Sequence, residues 1–385
     1  GGRFIASGTK SCVIKPNIKC RNNKYKRRNK KNISKIVFGD EALELSIEEK
    51  KTNDMIKRIP GYNKWALIFD HICQPPSYSE SLKIEKDIHK CLNEEDTYTL
   101  HSGVESKKDE LFDQKSIMLI GEYGGETFGD YFNRKFNDID SVEDIEREFL
   151  LIMKKIKHIF KGLAHLQDYE LSHLDIKQNN IVISKNNFKF IDFGLSSKFN
   201  NTIHFLERSY HEFKTSRIYY WYPFEYIYAY ATNEELDREE KLIKKYGIRD
   251  YRRHMDILYD IYSIFGIDIE IYVKDLIKKY KGMDKKAFYS GEFYNVIKGI
   301  DTYSFGMLIP FMLYNQGILE NAHKSIMLTE FLNVFALMIE PRYQDRIDIH
   351  EASEIFDKLL QKYSKKKKRS KRKKKSKRKS RSKKR

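Results

Sequence analysis

The residues best suited to chemistry lie in two short polar segments in the middle of the chain. Residues 173–180 read His-Leu-Asp-Ile-Lys-Gln-Asn-Asn, and residues 192–194 read Asp-Phe-Gly. The strand-like residues 181–190 lie between them. Two carboxylates and an amide on loops that flank one hairpin can hold Mg²⁺ and a nucleophile together. A single loop carboxylate is usually solvated, so the prediction depends on the ordered set.

In identity and order these residues resemble the catalytic loop and the metal-binding turn of the eukaryotic-type protein kinases. The resemblance implies that Asp175 accepts or orients a substrate hydroxyl proton and that Lys177 steadies the γ-phosphoryl group. It also implies that Asn180 and Asp192 hold metal ions. Lys177 stands where serine/threonine kinases carry lysine and tyrosine kinases carry alanine. Leu174 replaces the family's usual arginine, so control by an activation-loop phosphate is not expected.

The same resemblance implies an ATP-binding loop and a strand lysine near the start of the chain. The family's glycine-rich loop aligns with four positions here, Ala6, Gly8, Ser11 and Val13. Only Gly8 keeps a glycine of the motif, but small neighbours still permit close backbone approach to phosphate. Lys35 occupies the position of the lysine that binds the α- and β-phosphates. Nucleotide binding is therefore expected.

The partner of Lys35 should be a glutamate of the next helix, and Glu44, Glu48 and Glu49 compete for that place. If Glu44 were the partner of Lys35, the charged Glu48 would lie one turn further along the same face, where the family buries an apolar side chain. Glu48 is followed along its own face by less polar residues. We therefore predict that Glu48 pairs with Lys35.

Residues 117–126 resemble the kinase hinge. The backbone of Glu122 and Tyr123 should then hydrogen-bond adenine. Gly121 aligns with the gatekeeper position, and the lack of a side chain there predicts an open pocket behind the adenine.

Three further motifs are expected to be structural. Residues 222–225, Tyr-Pro-Phe-Glu, resemble the kinase Ala-Pro-Glu motif, whose glutamate forms a buried ion pair with a late arginine. These residues are Glu225 and Arg346 here. Asp301 resembles the aspartate that begins the central helix and braces the backbone of the catalytic loop.

The element pattern agrees with this family. Short strands are predicted in residues 3–16, 33–38, 65–69 and 117–120, and a helix over residues 40–59 ends at Pro60-Gly61. Residues 74–110 form a polar insertion. The pattern after residue 126 is mostly helical.

The predicted fold class is α+β, a bilobal protein-kinase fold with a small β-rich N-lobe and a larger α-helical C-lobe. Residues 1–125 form the N-lobe and hinge, and residues 126–363 form the C-lobe. The C-lobe carries an insertion at about 232–299. Residues 364–385 contain 17 Lys and Arg and no acid, so we predict a disordered basic tail.

Composition limits the other possibilities. The net charge of +18 comes almost wholly from the tail, which could be a solvated segment, a nuclear-targeting signal or a contact for nucleic acid. Nucleic acid is the partner that its charge favours most. Four cysteines without paired spacing are expected to be reduced thiols, and zinc is not expected. No apolar run reaches the roughly 20 residues that span a bilayer, so no membrane contact is expected.

The sequence thus predicts a serine/threonine protein kinase that uses ATP and Mg²⁺ on protein substrates. The nearest resemblance is to the divergent kinase-like proteins of giant nucleocytoplasmic DNA viruses. That resemblance implies an intracellular location, in the host cytoplasm or nucleus or in the virion. A pseudokinase scaffold is the leading alternative, and a kinase of small molecules or a nucleic-acid-binding protein are others. The sequence does not indicate an oligomeric state.

Overall fold

The computed structural model describes residues 3–7, 11–21, 29–84, 86–91, 112–139, 141–215 and 217–382. The chain divides into two compact units. The first comprises Gly1–Gly125 and Lys189–Ser196, and the second comprises Glu126–Phe188 and Ser197–Arg385. The predicted metal-binding turn at residues 192–194 therefore belongs to the first unit.

An antiparallel sheet organises the described part of the first unit, with strand order β1-β2-β3-β5-β4. The strands are β1 (Arg3–Ser7), β2 (Ser11–Lys15), β3 (Asn32–Phe38), β4 (Phe69–Cys73) and β5 (Ser116–Glu122). From Ser116 to Gly121 every residue of β5 is buried. This explains why β5 reads as a continuous apolar run rather than an alternating pattern.

β4 lies later in the chain than the predicted strand at residues 65–69. The N–H of Phe190 donates to the carbonyl of Trp65 (2.8 Å), and the N–H of Leu67 donates to the carbonyl of Phe190 (2.9 Å). Trp65 and Leu67 therefore satisfy their backbone groups outside the main sheet. The strand predicted at residues 65–69 thus overlaps β4 only at Phe69.

Helix α1 (Ala42–Lys57) follows β3 and lies within the predicted range 40–59. Gly61 ends this region with φ of 72°, a left-handed conformation that glycine adopts at little cost. The buried residues of α1 recur at helical spacing and are Ala42, Ser46, Glu49, Thr52, Asn53 and Ile56. The inward face of α1 therefore contains Glu49.

The insertion after β4 begins with α2 (Tyr78–Ile84) and a 3-10 helix, Lys86–Cys91. The Cys12–Cys91 disulfide attaches this region to β2, and the Cys20–Cys73 disulfide joins the segment after β2 to the last residue of β4. All four sulfur-bearing side chains are buried or nearly so, in one apolar cluster with Ile14, Ile36 and Met118.

The expectation of reduced thiols is therefore wrong for this chain. The paired cysteines are 79 and 53 residues apart in sequence. Such separations carry no recognisable spacing signal, because each pair of cysteines meets only when distant segments pack together in the fold.

The second unit is mostly helical. It begins with α3 (Phe128–Phe136) and the long α4 (Val142–Asp168). The short strands β6 (Leu171–Ser172), β7 (Ile181–Ser184), β8 (Asn187–Phe190) and β9 (Ser197–Lys198) follow, and the chain returns to the first unit within β8. β6 pairs with β9. Helices α5 (Thr202–Lys214) and α6 (Phe224–Ile227) complete this region.

The predicted insertion at residues 232–299 is helical, as expected. It contains α7 (Asn233–Tyr246), α8 (Met255–Ile264), α9 (Ile269–Lys281) and α10 (Lys285–Ser290). The hydroxyl of Tyr272 donates to Oε2 of Glu225 (2.8 Å), and the hydroxyl of Tyr280 donates to its carbonyl oxygen (2.9 Å). The insertion is therefore part of the buried surroundings of Glu225.

The predicted buried ion pair is present. Nη2 of Arg346 lies 2.5 Å from Oε1 of Glu225, and each side chain is only 2% exposed. Removing either partner would leave an unpaired charge in the interior, which typically costs about 3–5 kcal/mol.

Helix α11 (Glu292–Asn315) is the central helix of the second unit, and α12 (Ile326–Met338) packs against it. Among the described residues, α11 is the one helix long and apolar enough to cross a membrane, but 89% of its apolar stretch is buried. Such burial is typical of the core helix of a folded domain.

The last helix, α13 (Ile349–Ser382), continues through most of the segment predicted to be disordered. Its first part is anchored by buried residues such as Phe356 and Leu360. Lys and Arg are good helix formers, so a helix begun by packing can extend into the basic segment. The prediction of disorder rested on 17 uncompensated positive charges and on the lack of apolar residues to bury, and it concerned this segment on its own. The side chains beyond residue 365 lie outside the described part.

Candidate active site

The carboxylate of Asp175 lies on the loop between β6 and β7 and is held by neighbouring side chains. Both of its oxygens lie 2.9 Å from Nζ of Lys177. Oδ2 accepts a hydrogen bond from Nδ2 of Asn180 (2.6 Å), and Oδ1 accepts one from the hydroxyl of Tyr219 (3.1 Å). The second unit therefore brings together Asp175, Lys177 and Asn180, as the sequence predicts, and adds Tyr219.

Asp301 fixes the backbone of this loop, as expected. Its carboxylate accepts hydrogen bonds from the N–H groups of His173 (2.5 Å) and Leu174 (3.1 Å). Leu174 has φ of 59°, an uncommon conformation for a branched residue, and its carbonyl accepts a hydrogen bond from the Tyr222 hydroxyl. The loop geometry is thus held from both sides.

Arg208 on α5 supplies a cation near this loop, where the family's usual arginine is replaced by Leu174. Its Nη2 lies 2.7 Å from Glu212, and its buried Nε has no hydrogen-bond partner among the residues that the structure describes. Burial opposes its charge, but the neighbouring Tyr222 and Glu212 hold its pKa above the ordinary value. Sequence reasoning missed Arg208 and Tyr219, because no motif surrounds them and only the folded contacts reveal them.

Lys35 on β3 is the centre of the charged cluster in the first unit. Its Nζ lies 2.8 Å from Oε2 of Glu49 and 2.7 Å from Oδ1 of Asp192. Burial opposes the ammonium charge, but the carboxylates of Glu49 and Asp192 outweigh it and raise the pKa of Lys35. Lys35 is therefore positively charged throughout the physiological pH range.

The prediction that Glu48 pairs with Lys35 is wrong. Glu48 is 60% exposed and pairs with Lys51 at 2.6 Å on the outer face of α1. Glu49 is 4% exposed and lies on the buried face with Ser46 and Asn53. The two glutamates differ by one position, about 100° around a helix, and that rotation decides which one faces Lys35.

Asp192 adopts a strained conformation beside Gly194. Its φ of 62° lies in the left-handed region, which non-glycine residues seldom occupy. A Cβ at Gly194 would lie 3.4 Å from both Oδ1 of Asp192 and Oε2 of Glu49. Gly194 thus lies directly beside this charged cluster. Such strain is characteristic of functional sites.

The predicted nucleotide loop is only partly described. Ala6 pairs with Val13 across β1 and β2, and Ser11 lies opposite Val37 of β3. Gly8 lies outside the described residues. The strand framework of the loop is present, and phosphate binding by these residues stays a prediction.

The predicted hinge contact needs one correction. Glu122 is the last residue of β5 and lies opposite Asn32 of β3. The next N–H, that of Tyr123, donates to the carbonyl of Lys31 at 2.8 Å. This donor is used by the sheet and is not open to adenine. This hydrogen bond lies one residue beyond the last pair of β3 and β5, which joins Asn32 and Glu122.

The predicted open pocket at Gly121 is also wrong. Gly121 lies opposite Phe69 of β4. A Cβ on Gly121 would lie 2.9 Å from both Cδ1 of Phe69 and the carbonyl oxygen of Ile68. The space that glycine leaves is therefore filled by the neighbouring strand, which sequence alignment of β5 alone could not reveal.

The match to a known family decides the fold. A family model described as the protein kinase domain matches residues 74–237, which contain both the Asp175 loop and the Asp192 turn. The chain has a protein kinase fold. The predicted α+β kinase fold, with a β-sheet N-terminal region and a mostly helical C-terminal part, is confirmed.

Two curated kinases are similar to parts of this chain. CTD kinase subunit alpha from Saccharomyces cerevisiae is 29% identical over 114 residues, which are 28% of this chain and 19% of that protein. Myosin light chain kinase family member 4 from Homo sapiens is 30% identical over 125 residues, 31% of this chain and 28% of that protein. The aligned part thus spans less than a third of either relative. Both similar proteins are named as kinases, and each similarity covers less than a third of this chain.

The residues present fit ATP and Mg²⁺. The carboxylate of Asp192 is 42% exposed and could therefore bind a cation. Nδ2 of Asn180 donates to Asp175, so the amide oxygen of Asn180 is the atom that would bind a cation. Carboxylate and amide oxygens are typical Mg²⁺ ligands. The charged Lys35 is suited to a phosphate.

Proposed function

We propose that this chain is a serine/threonine protein kinase that transfers the γ-phosphoryl group of ATP to protein hydroxyls with the help of Mg²⁺. One observation carries the proposal. Lys35 contacts both Glu49 and Asp192. A buried cation shared by a helix glutamate and the predicted metal-binding aspartate is the arrangement that a kinase needs to hold phosphates and metal.

Each side chain then has a separate task. Lys35 binds the α- and β-phosphates, and Asp192 and Asn180 hold Mg²⁺, which neutralises phosphate charge when bound. Asp175 accepts or orients the proton of the substrate hydroxyl, and Lys177 steadies the transferring group. The protein supplies position and electrostatics rather than covalent chemistry.

Lys177 supports the choice of serine and threonine as acceptors. It resembles the lysine of serine/threonine kinases, and its Nζ lies 2.9 Å from each oxygen of Asp175. A cation so placed can bind the γ-phosphoryl group beside the base.

A pseudokinase scaffold is the rival proposal. The degraded glycine loop and Leu174 favour it. Pseudokinases usually lose an equivalent of Lys35, Asp175 or Asp192, whereas this chain retains all three, and each is engaged in contacts. Kinship with giant-virus kinases, an intracellular location and contact between the basic tail and nucleic acid stay predictions.

Transfer of radiolabel from ATP to generic protein acceptors tests the proposed function. With Mg²⁺ the wild type should label the acceptors, and Asp175→Asn should lower the rate at least about 100-fold, because the base is lost. Asp168→Asn is a matched control, since Asp168 is 49% exposed and pairs with His350 away from this loop. Labelling by Asp175→Asn at the wild-type rate would contradict the assignment.

The packing of Phe69 against Gly121 leads to a prediction about nucleotide analogues. The wild type should reject ATP with a bulky N6 substituent, because the ring of Phe69 fills the space beside Gly121. Phe69→Ala should raise kcat/KM for that analogue by at least about 10-fold relative to ATP.

Ile72→Ala is the control for this change, because Ile72 packs against the same cluster but pairs with Leu119 rather than Gly121. It should not admit the analogue. Efficient use of the analogue by the wild type would show that Phe69 does not close this space.

A further inference from the structure

The hydroxyl of Tyr219 occupies a position that a phosphoryl acceptor would need. It donates to Oδ1 of Asp175 at 3.1 Å. A general base must lie about 2.6–3.2 Å from the group whose proton it removes. The proposed base of the kinase is thus already in contact with a hydroxyl of its own chain.

Nearby tyrosines make a different kind of contact. The hydroxyls of Tyr222 and Tyr226 donate to backbone carbonyls of Leu174 and Phe205, and both side chains are almost fully buried. Those bonds satisfy buried polar groups and hold the fold together. Tyr219 is only partly buried and donates to a carboxylate.

The Asp175 carboxylate does not depend on Tyr219 for its position. Lys177 contacts both of its oxygens, and Asn180 donates to Oδ2. The hydrogen bond from Tyr219 is therefore additional to those that hold the base.

The phenol of Tyr219 needs a base to become a nucleophile. Burial and the carboxylate of Asp175 raise its pKa well above the ordinary value. It therefore keeps its proton at neutral pH. The contact with Asp175 supplies the missing acceptor for that proton.

We propose that Tyr219 is an autophosphorylation site, modified through the Asp175 of its own chain. The inference rests on the proposed kinase function, in which ATP is the phosphoryl donor. The phenolic oxygen bonds to the γ-phosphorus while the bond from that phosphorus to the β,γ-bridging oxygen breaks. ADP leaves with the electron pair, and the phenolic proton passes to Asp175, which later releases it to water.

The geometry points to a reaction within one molecule. Tyr219 packs edge-on against Tyr222 at 4.9 Å between ring centroids, and Tyr222 is anchored to the same loop through Leu174. The acceptor is thus held at its own base before any encounter between molecules. The rate per molecule should be independent of enzyme concentration.

The test is to incubate the purified full chain with ATP and Mg²⁺ over a wide range of enzyme concentrations and to map phosphotyrosine by mass spectrometry. The wild type should carry phosphate on Tyr219 at a concentration-independent rate. Asp175→Asn should carry none, even when mixed with active enzyme. Tyr220→Phe should keep the modification, because Tyr220 stacks on Phe311 and its hydroxyl is not needed at Asp175.

Each other outcome has a definite meaning. Labelling of added protein acceptors without phosphate on Tyr219 would overturn this inference and leave the proposed function standing. Phosphate on Tyr219 of Asp175→Asn in the mixture would overturn the reaction within one molecule. Absence of label from both Tyr219 and added acceptors would overturn both proposals.

Discussion

Replacing Asp192 with alanine is expected to lower phosphoryl transfer at least about 100-fold while the first unit stays folded. The variant loses the proposed metal ligand and one carboxylate partner of Lys35. Glu49 remains 2.8 Å from Lys35, so the buried ammonium keeps a counter-charge. The rate of phosphoryl transfer from ATP tests the loss of activity, and the thermal unfolding midpoint tests whether the variant stays folded.

Asp70→Ala is the matched control for Asp192→Ala. Asp70 belongs to β4 in the same unit and forms an ion pair with Lys57, in which both side chains are 49% exposed. Exposed pairs contribute about 0–1 kcal/mol, so this variant should resemble the wild type in both measurements. If the folded Asp192→Ala protein transferred phosphoryl groups at the wild-type rate, Asp192 would not be a metal ligand, and the assignment would be wrong.

Reduction of the two disulfides is expected to lower the free energy of unfolding by about 4 kcal/mol for each bond. The bonds close segments of 79 and 53 residues, and cross-links of that span strongly restrict the unfolded chain. Denaturant titration of the protein with and without reductant measures the loss. Alkylation of the unreduced protein under denaturing conditions should detect no free thiol.

Variants separate the two bonds. The double variant Cys12→Ala/Cys91→Ala lacks the first bond, so reductant should lower its free energy of unfolding by about half as much as in the wild type. The double variant Cys20→Ala/Cys73→Ala lacks the second bond and should respond to reductant in the same way. An unreduced wild type with four alkylated cysteines, whose stability is unchanged by reductant, would contradict the pairing.

The parts of the site that depend on short contiguous motifs were predictable from sequence. The loop of Asp175, Lys177 and Asn180 folds as one local unit, so its residue order already specifies which groups meet. The bracing aspartate Asp301 and the Glu225–Arg346 pair were also found, although they join distant parts of the chain. Family resemblance supplied those distant pairings, and periodicity did not.

The wrong predictions share a physical cause, since each depended on packing that a linear pattern does not contain. Glu49 rather than Glu48 faces Lys35 because of the rotation of α1 about its axis. Phe69 fills the space at Gly121 because β4 lies beside β5. The Cys12–Cys91 bond joins the insertion to β2, and the Cys20–Cys73 bond joins the segment after β2 to β4, so both depend on contacts between distant segments.

The identity of the labelled residue in an added protein acceptor tests the central claim most directly. The acceptor is separated from the kinase after reaction with labelled ATP and Mg²⁺, and its phosphoamino acids are resolved. The account predicts phosphoserine and phosphothreonine, both lost with Asp175→Asn. The account would be contradicted if the wild type labelled the acceptor no more than Asp175→Asn does, or if it labelled the acceptor on tyrosine alone.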